Sequence, residues 1–141
     1  MHVSQDQQAE IIKAIKQAEL HTSGEIRVHI ESHCEGHPIE RSKVLFFQLG
    51  MNQTDLQNGV LVYLAIKDRK YAIIGDKGID ARVNPEFWET IRDEMRPYLA
   101  KNEIGAGLAW GVRRIGEVLT QYFPYQKDDI NELTDELSFG A

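Results

Sequence analysis

Hydrophobic residues along this chain follow three patterns, and each predicts a different element. The first is an uninterrupted apolar run, Val60–Ile66. An unbroken run of this length predicts a strand buried on both faces. Asn58-Gly59 before it and Lys67-Asp68-Arg69 after it leave too little chain for a helix, and Val60, Val62 and Ile66 are β-branched. Tyr71–Ile74 predicts a second strand, folded back over the Lys67–Lys70 turn as a hairpin. Such a hairpin returns Gly75–Asp80 to the sheet end where Asn58 and Gly59 begin, so two oxygen-rich loops meet there.

The second pattern is strict alternation. In Glu25–Glu31, residues Ile26, Val28 and Ile30 point one way and Glu25, Arg27, His29 and Glu31 the other. This predicts a strand with one buried face, at or near a sheet edge.

The third pattern is helical spacing. Ser4-Gln5-Asp6-Gln7 reads as a capping box opening an amphipathic helix over Gln5–Leu20, with Ile11, Ile12, Ile15 and Ala18 inward. Pro38 suits the first turn of a second helix, lined by Ile39, Ser42, Leu45, Phe46 and Leu49 and ended by Gly50. With the strands on either side it makes a βαβ unit whose strands run parallel. Asn84-Pro85-Glu86 starts a third, whose stripe is Phe87, Trp88, Ile91, Met95, Tyr98 and Leu99; Pro97 predicts a kink or an early end near Arg96. A last long helix covers Asn102–Tyr122. Its Gly105, Gly107, Gly111 and Gly116 imply close approach to the sheet or to another helix. Beyond Phe123-Pro124, residues Ile130, Leu133 and Leu137 predict a short amphipathic helix in the 124–141 tail, docked on the domain or available to a partner.

Together these elements predict an α/β fold: a three-layer α/β/α sandwich with a small mixed central sheet, a βαβ unit plus a β-hairpin, flanked by helices. The 141 residues suffice for one domain with a real core. A formal charge of −6 argues against general nucleic-acid binding, which needs a basic face, and leaves carboxylates for a cation. The single cysteine, Cys34, permits no intrachain disulfide and favours a reducing compartment. No apolar run approaches the roughly 20 residues of a membrane span, and the polar start has no signal-peptide core. The expectation is a soluble cytoplasmic protein.

Three groupings are candidates for chemistry. Hard cations take oxygen ligands, about 6–8 for calcium. The two loops supply Asn58, Asp76 and Asp80 with carbonyls around Gly75 and Gly78; Glu103 and Glu25 are expected to join them. The alternative is that Asn58 and Asp76 merely shape turns while Asp80 and Glu103 are solvated or cap helices. His29, His33, Cys34 and His37 form a transition-metal look-alike without any CxxC or HxxxH pair on one helix face, which favours chance clustering. Cys34 as a nucleophile lacks a base of fixed geometry. There is no P-loop, no GxSxG elbow and no GxGxxG.

Five segments in order resemble the TPM domain family, which includes a thylakoid-lumen protein, a photosystem-repair protein and an animal receptor modulator. They are Thr22–Val28, Asn58–Val62, Arg69–Ile73, Gly75–Ile79 and Asn102–Leu108, and the likeness covers most of residues 1–123. The resemblance implies an α/β/α sandwich, a divalent-cation site for calcium or else magnesium, and, after a plant member, an acid phosphatase activity. Many bacterial relatives carry a membrane anchor, and this chain reads as a stand-alone version. The leading expectation is a soluble calcium-binding domain acting as a regulatory or protein-interaction module with an unknown protein partner. The alternatives are a metal-assisted acid phosphatase and a structural adaptor without metal.

Overall fold

A computed structural model describes residues 3–125 and 137–140. The elements are α1 (Gln5–Glu19), β1 (Glu25–Glu31), α2 (Pro38–Gln48), β2 (Gly59–Ala65), β3 (Lys70–Gly75), a one-turn α3 (Lys77–Asp80), α4 (Pro85–Ala100), α5 (Ile104–Tyr122) and β4 (Leu137–Phe139). The helix starts follow their capping chemistry. Ser4 Oγ accepts from the Gln7 amide at 3.1 Å while Gln7 Oε1 accepts from the Ser4 amide at 3.3 Å. Asn84 Oδ1 accepts from the Glu86 amide at 3.0 Å, with Pro85 in the first turn.

The sheet has the order β3-β2-β1-β4. The β1 strand runs parallel to both β2 and β4, and β2 pairs antiparallel with β3 in the expected hairpin. One face carries Ile26, Val28, Ile30, Val60, Val62, Leu64 and Ile73 against α1, α4 and α5. The other carries Leu61, Tyr63 and Ala65 against Leu45 and Phe46 of α2 and Met51 beyond it. This is the three-layer α/β/α sandwich with a mixed sheet. Among the described residues, no helix is long and apolar enough to cross a membrane.

Three expectations fail. First, β1 lies near the sheet edge as expected, next to the edge strand β4, but it does not have one exposed face: every residue of it is buried, the polar ones included. Second, of the kink or early end expected at Pro97, the early end does not occur: α4 continues to Ala100. Beyond the proline, Tyr98 and Leu99 lie so close to Gly107 of α5 that a Cβ there would sit 3.0 and 3.1 Å from them. Their packing holds the last turn against the loss of one hydrogen bond at an exposed position. Third, Leu137 lies in a strand, not a helix, because its backbone extends the sheet beside Val28. Ile130 and Leu133 fall outside the described residues.

The glycines of α5 mark close helix contacts, as their number implied. A Cβ at Gly111 would meet Met95 Sδ of α4 at 2.6 Å, and one at Gly116 would meet Ala18 Cβ of α1 at 2.8 Å. The Ala18 methyl is the rigid neighbour. Gly116→Ala is therefore expected to lower stability by about 1–2 kcal/mol through overpacking, although alanine is the better helix former by about 1 kcal/mol. Urea denaturation followed by far-UV circular dichroism measures it, and Ala18→Gly in the same chain should recover most of the loss.

Candidate functional site

Strand register brings the two oxygen-rich loops together. Glu25 pairs with Gly59 across β1 and β2, and the Asp76 amide donates to Gly59 O at 2.9 Å. Glu25, Gly59 and Asp76 thus lie in one row across one end of the sheet. The loop before β2 is stitched to the chain after β3 by the Gly78 amide, which donates to Gln57 O at 2.8 Å. A Cβ at Gly78 would lie 2.6 Å from Gln57 O and closer still to Leu56 O, so no larger residue permits this approach. Gln57 itself holds φ at 51°, a left-handed conformation that turns the chain into β2.

Asp76 caps α3. Its Oδ1 accepts from the Lys77 amide at 2.8 Å, the turn-shaping role, while its Oδ2 is buried without a hydrogen-bond donor among the described residues. Asp80 stands one turn on. Its Oδ1 accepts from Trp88 Nε1 at 3.3 Å and lies 3.2 Å from where a Cβ of Gly75 would be. Desolvation there pushes the Asp80 carboxyl up, the Trp88 bond pulls it down, and the nearby Asp76 charge pushes it up again, with a net rise. Asn58 is buried; its carbonyl accepts from the Glu25 amide at 3.4 Å, and its side-chain Nδ2 has no partner among the described residues. Glu25 is buried at the start of β1.

Glu103 is not part of this group. α5 runs back along the sheet, antiparallel to β1 and β2. Its Leu119 packs on Gly24 just before β1, whereas Gly105 packs on Gln7 and Glu10 of α1. The 19 residues of α5, at a rise of about 1.5 Å each, put Glu103 near the other end of the sheet, exposed to solvent.

A buried carboxylate oxygen without a donor is costly unless something positive faces it. Asp76 and Asp80, with loop carbonyls beside them, fit a hard cation of the calcium or magnesium type, most of whose shell would be carbonyl and water oxygens. Among the described residues, no three His, Cys, Asp or Glu side chains converge as a ready-made metal cluster. The His/Cys grouping disperses accordingly. His33 pairs with Asp68 at 3.0 Å, His37 caps α2, and Cys34 is buried beside Tyr63.

The sequence reading missed a buried polar network on β1. Glu31 is gripped by Arg41 of α2, with Nε to Oε2 at 2.9 Å and Nη2 to Oε1 at 3.0 Å. Tyr63 of β2 donates to the same carboxylate at 2.5 Å. His29 stacks on Tyr63 and bonds Ser138 of β4 at 2.7 Å. Burial alone would raise the Glu31 carboxyl; the Arg41 and Tyr63 bonds outweigh it and hold it below the usual range. Burial lowers His29 despite Glu31 3.4 Å away. It pushes the Tyr63 hydroxyl well up, and the Glu31 carboxylate adds to that. The network therefore rests at neutral pH as a carboxylate–guanidinium pair flanked by a neutral imidazole and a neutral phenol. The clue lay in a tyrosine at the centre of the apolar run, opposite His29.

The sequence pattern of the TPM domain matches residues 2–118. Among solved structures, the chain is similar to the BA42 protein of the psychrophilic bacterium Bizionia argentinensis. Identity is 40% and the TM-score 0.90, over 99% of this chain and 97% of that one. It shares its fold with the N-terminal domain of the cg2496 protein of Corynebacterium glutamicum, at 16% identity and TM-score 0.66 over 84% and 74% of the two chains. The N-terminal domain of a P. gingivalis protein is likewise similar, at 19% and 0.68 over 87% and 82%. No curated protein matches.

Removing the Glu31 charge strands Arg41, which is only 36% exposed, and leaves Tyr63 a weaker acceptor. Glu31→Gln should cost about 2–3 kcal/mol, less than a fully buried pair because Arg41 reaches water. Glu31 is depressed in the folded protein from an ordinary 4.5, so its contribution is complete above that pH and is lost as the pH falls below it. Denaturation of both proteins across acidic pH should show the gap closing downward.

Proposed function

Because the chain belongs to the TPM domain family, we propose that it is a divalent-cation-binding module, taking calcium before magnesium at the Asp76–Asp80 end of the sheet and presenting the loaded surface to a protein partner. The observation that carries this reading is the buried Asp76 Oδ2, which has no donor among the described residues, set beside a second carboxyl whose affinity for protons is already raised, first by burial and then by the Asp76 charge. A cation relieves both at once: it satisfies the orphaned oxygen and screens one carboxylate from the other. Glycine at 78 lets the Leu56 and Gln57 carbonyls approach the same loop, and carbonyl oxygens are acceptable calcium ligands. Two carboxylates make a weak site, so the affinity belongs in the range of about 10⁻⁴–10⁻³ M found for calcium sites of low ligand charge. A change at millimolar calcium suits a module read by a partner. The partner would sense the switch of this sheet end from negative to neutral.

Calcium titration of the labelled protein, read by amide NMR shifts, tests the site. Saturating shifts are expected at Asn58, Gly59 and Asp76–Asp80. Asp76→Asn should weaken binding about tenfold or more, equivalent to about 1.4 kcal/mol, while Glu103→Gln at the far end should leave it unchanged. Since the ligands must be ionised, affinity should decline on acidification from a higher pH than an ordinary aspartate would dictate, following Asp80. A flat titration at millimolar calcium removes the proposal.

A further inference from the structure

The opposite end of the sheet holds a cavity of about 260 Å³ that the cation site does not use. It lies beyond the carboxyl end of β2, between the β2–β3 turn and the α4–α5 connection. In open α/β sheets this is the end where ligands bind, because the helices and turns there leave a crevice. Its floor is apolar, made by Leu64 of β2 and Ile66 just after it, Leu99 from α4 and Ile104 from the start of α5. Its rim is basic. Arg69 of the turn and Arg96 of α4 line it, with Tyr71 and Asn102 between them.

Neither guanidinium is committed to a buried partner. Arg69 has no carboxylate partner among the described residues. The carboxylate next to it in the turn, Asp68, is engaged elsewhere, by His33 Nδ1 at 3.0 Å and by the Cys34 amide at 2.7 Å. Among the described residues Arg96 has one ion pair, with Asp93 at 3.1 Å, where both side chains are about two-thirds exposed, and it also bonds the Tyr71 hydroxyl; an exposed pair of this kind contributes little. The Tyr71 hydroxyl is close to Arg96 and donates to Arg92 O at 3.1 Å, which fixes its ring across the cavity wall. Glu103, next to Asn102 in the sequence, is exposed and makes no capping bond to α5.

The backbone carries an independent sign. Arg69 holds a positive φ of 53° and lines this cavity; Asn102, which lines it at 60°, is the left-handed residue that ordinarily ends a helix such as α4. Glycine would adopt the Arg69 conformation without steric cost. A long cationic side chain placed there by a strained backbone is the kind of outlier that points to a function.

We propose that this cavity binds a carboxylate carried on a compact apolar group, the Arg69 and Arg96 guanidiniums taking the carboxylate and the Leu64–Ile66–Leu99–Ile104 floor taking the apolar body. The planar fork of a guanidinium matches a carboxylate in two parallel hydrogen bonds, and two forks on one rim select an anion over a neutral isostere. The apolar floor selects against small inorganic anions, which gain nothing from it. The cavity is near the lower limit for ligand pockets, so the group must be small, of the size of a branched aliphatic chain. Such a carboxylate comes either from a free acid or from the C-terminus of a peptide ending in an aliphatic residue.

The experiment uses the full chain, 4-methylpentanoate as the free acid, 4-methylpentanamide as its neutral isostere, and a pentapeptide ending in leucine. Amide NMR shifts are followed during titration to millimolar ligand. The acid or the peptide should give saturating shifts at Leu64, Ile66, Tyr71, Leu99 and Ile104, and the carboxamide none. Arg69→Gly suits its φ and keeps the turn; it should weaken binding about tenfold, as should Arg96→Gln, whereas Lys13→Gln on α1 should not. Tighter binding of the peptide assigns the carboxylate to a chain terminus, and tighter binding of the acid assigns it to a free metabolite. Absence of shifts with both carboxylates, an equal response to the carboxamide, or unchanged binding in Arg69→Gly and Arg96→Gln overturns the proposal. Asp76→Asn leaves this cavity untouched, so its fate is separable from that of the cation site.

Discussion

The burial of β2 on both faces governs the rest of the molecule. Every side chain from Gly59 to Ala65 is buried, and a strand in that position must have hydrogen-bonded neighbours on both edges and a helical layer above and below. β1 and β3 supply the edges, one parallel and one antiparallel. The α1, α4 and α5 helices cover one face and α2 the other. Because one neighbour is reached through α2 and the other through a tight turn, the two ends of β2 acquire different surroundings. The amino end receives Glu25 from β1 and Asp76 from the chain leaving β3. The carboxyl end receives the turn and the start of α5.

This arrangement makes β1 an interior strand, and its polar row then has to be paired inside the protein. The solution is local to the α2 side: Arg41 reaches Glu31 from the helix, Tyr63 donates from β2, and Ser138 bonds His29 from β4. The three-residue β4 is consequently more than an edge cover. It brings the hydroxyl that bonds the imidazole Nδ1, and Gly140 just beyond it donates its amide to Ile30 O at 2.8 Å. A Cβ at Gly140 would lie 2.9 Å from Glu31 Cβ, so the chain passes directly over the ion pair. Low dielectric around the pair strengthens it and makes each unpaired member costly, which gives the network a role in fixing register as well as stability.

What could be read from the sequence followed from local physics. The Val60–Ile66 run, the hairpin, the Ser4 and Asn84 caps and the small residues of α5 each declare themselves within a few positions, because the forces that set them act over one turn or one pleat. What could not be read depended on distant partners. Alternation in Glu25–Glu31 gave no hint that Arg41, Tyr63 and Ser138 would pair the polar row. Pro97 was outweighed by packing of Tyr98 and Leu99 on Gly107, a contact between separate helices. The loop-to-loop meeting of Asn58 with Asp76 was legible, since hairpin geometry returns the chain to its starting end. The place of Glu103 was not, since the direction of α5 is set by its fit against α1 and α4.

The hairpin also decides how the two ends of the sheet relate. β2 and β3 are joined at the Arg69 end and open at the Asp76 end, and they are held by a continuous ladder from Val60–Gly75 to Ala65–Lys70. Coupling between distant sites requires an element with two arrangements whose balance both ligands shift. A strand packed on both faces offers no second arrangement, because a shift of one residue would turn Leu61 and Tyr63 out of one core and Val60 and Val62 out of the other. The loops at the two ends carry opposite charge preferences on a rigid spacer. Charge acting across that distance through solvent is weak at physiological salt. The acidic loops and the basic cavity are therefore two separate chemistries on one ribbon, each tuned by its own turn and not by the other.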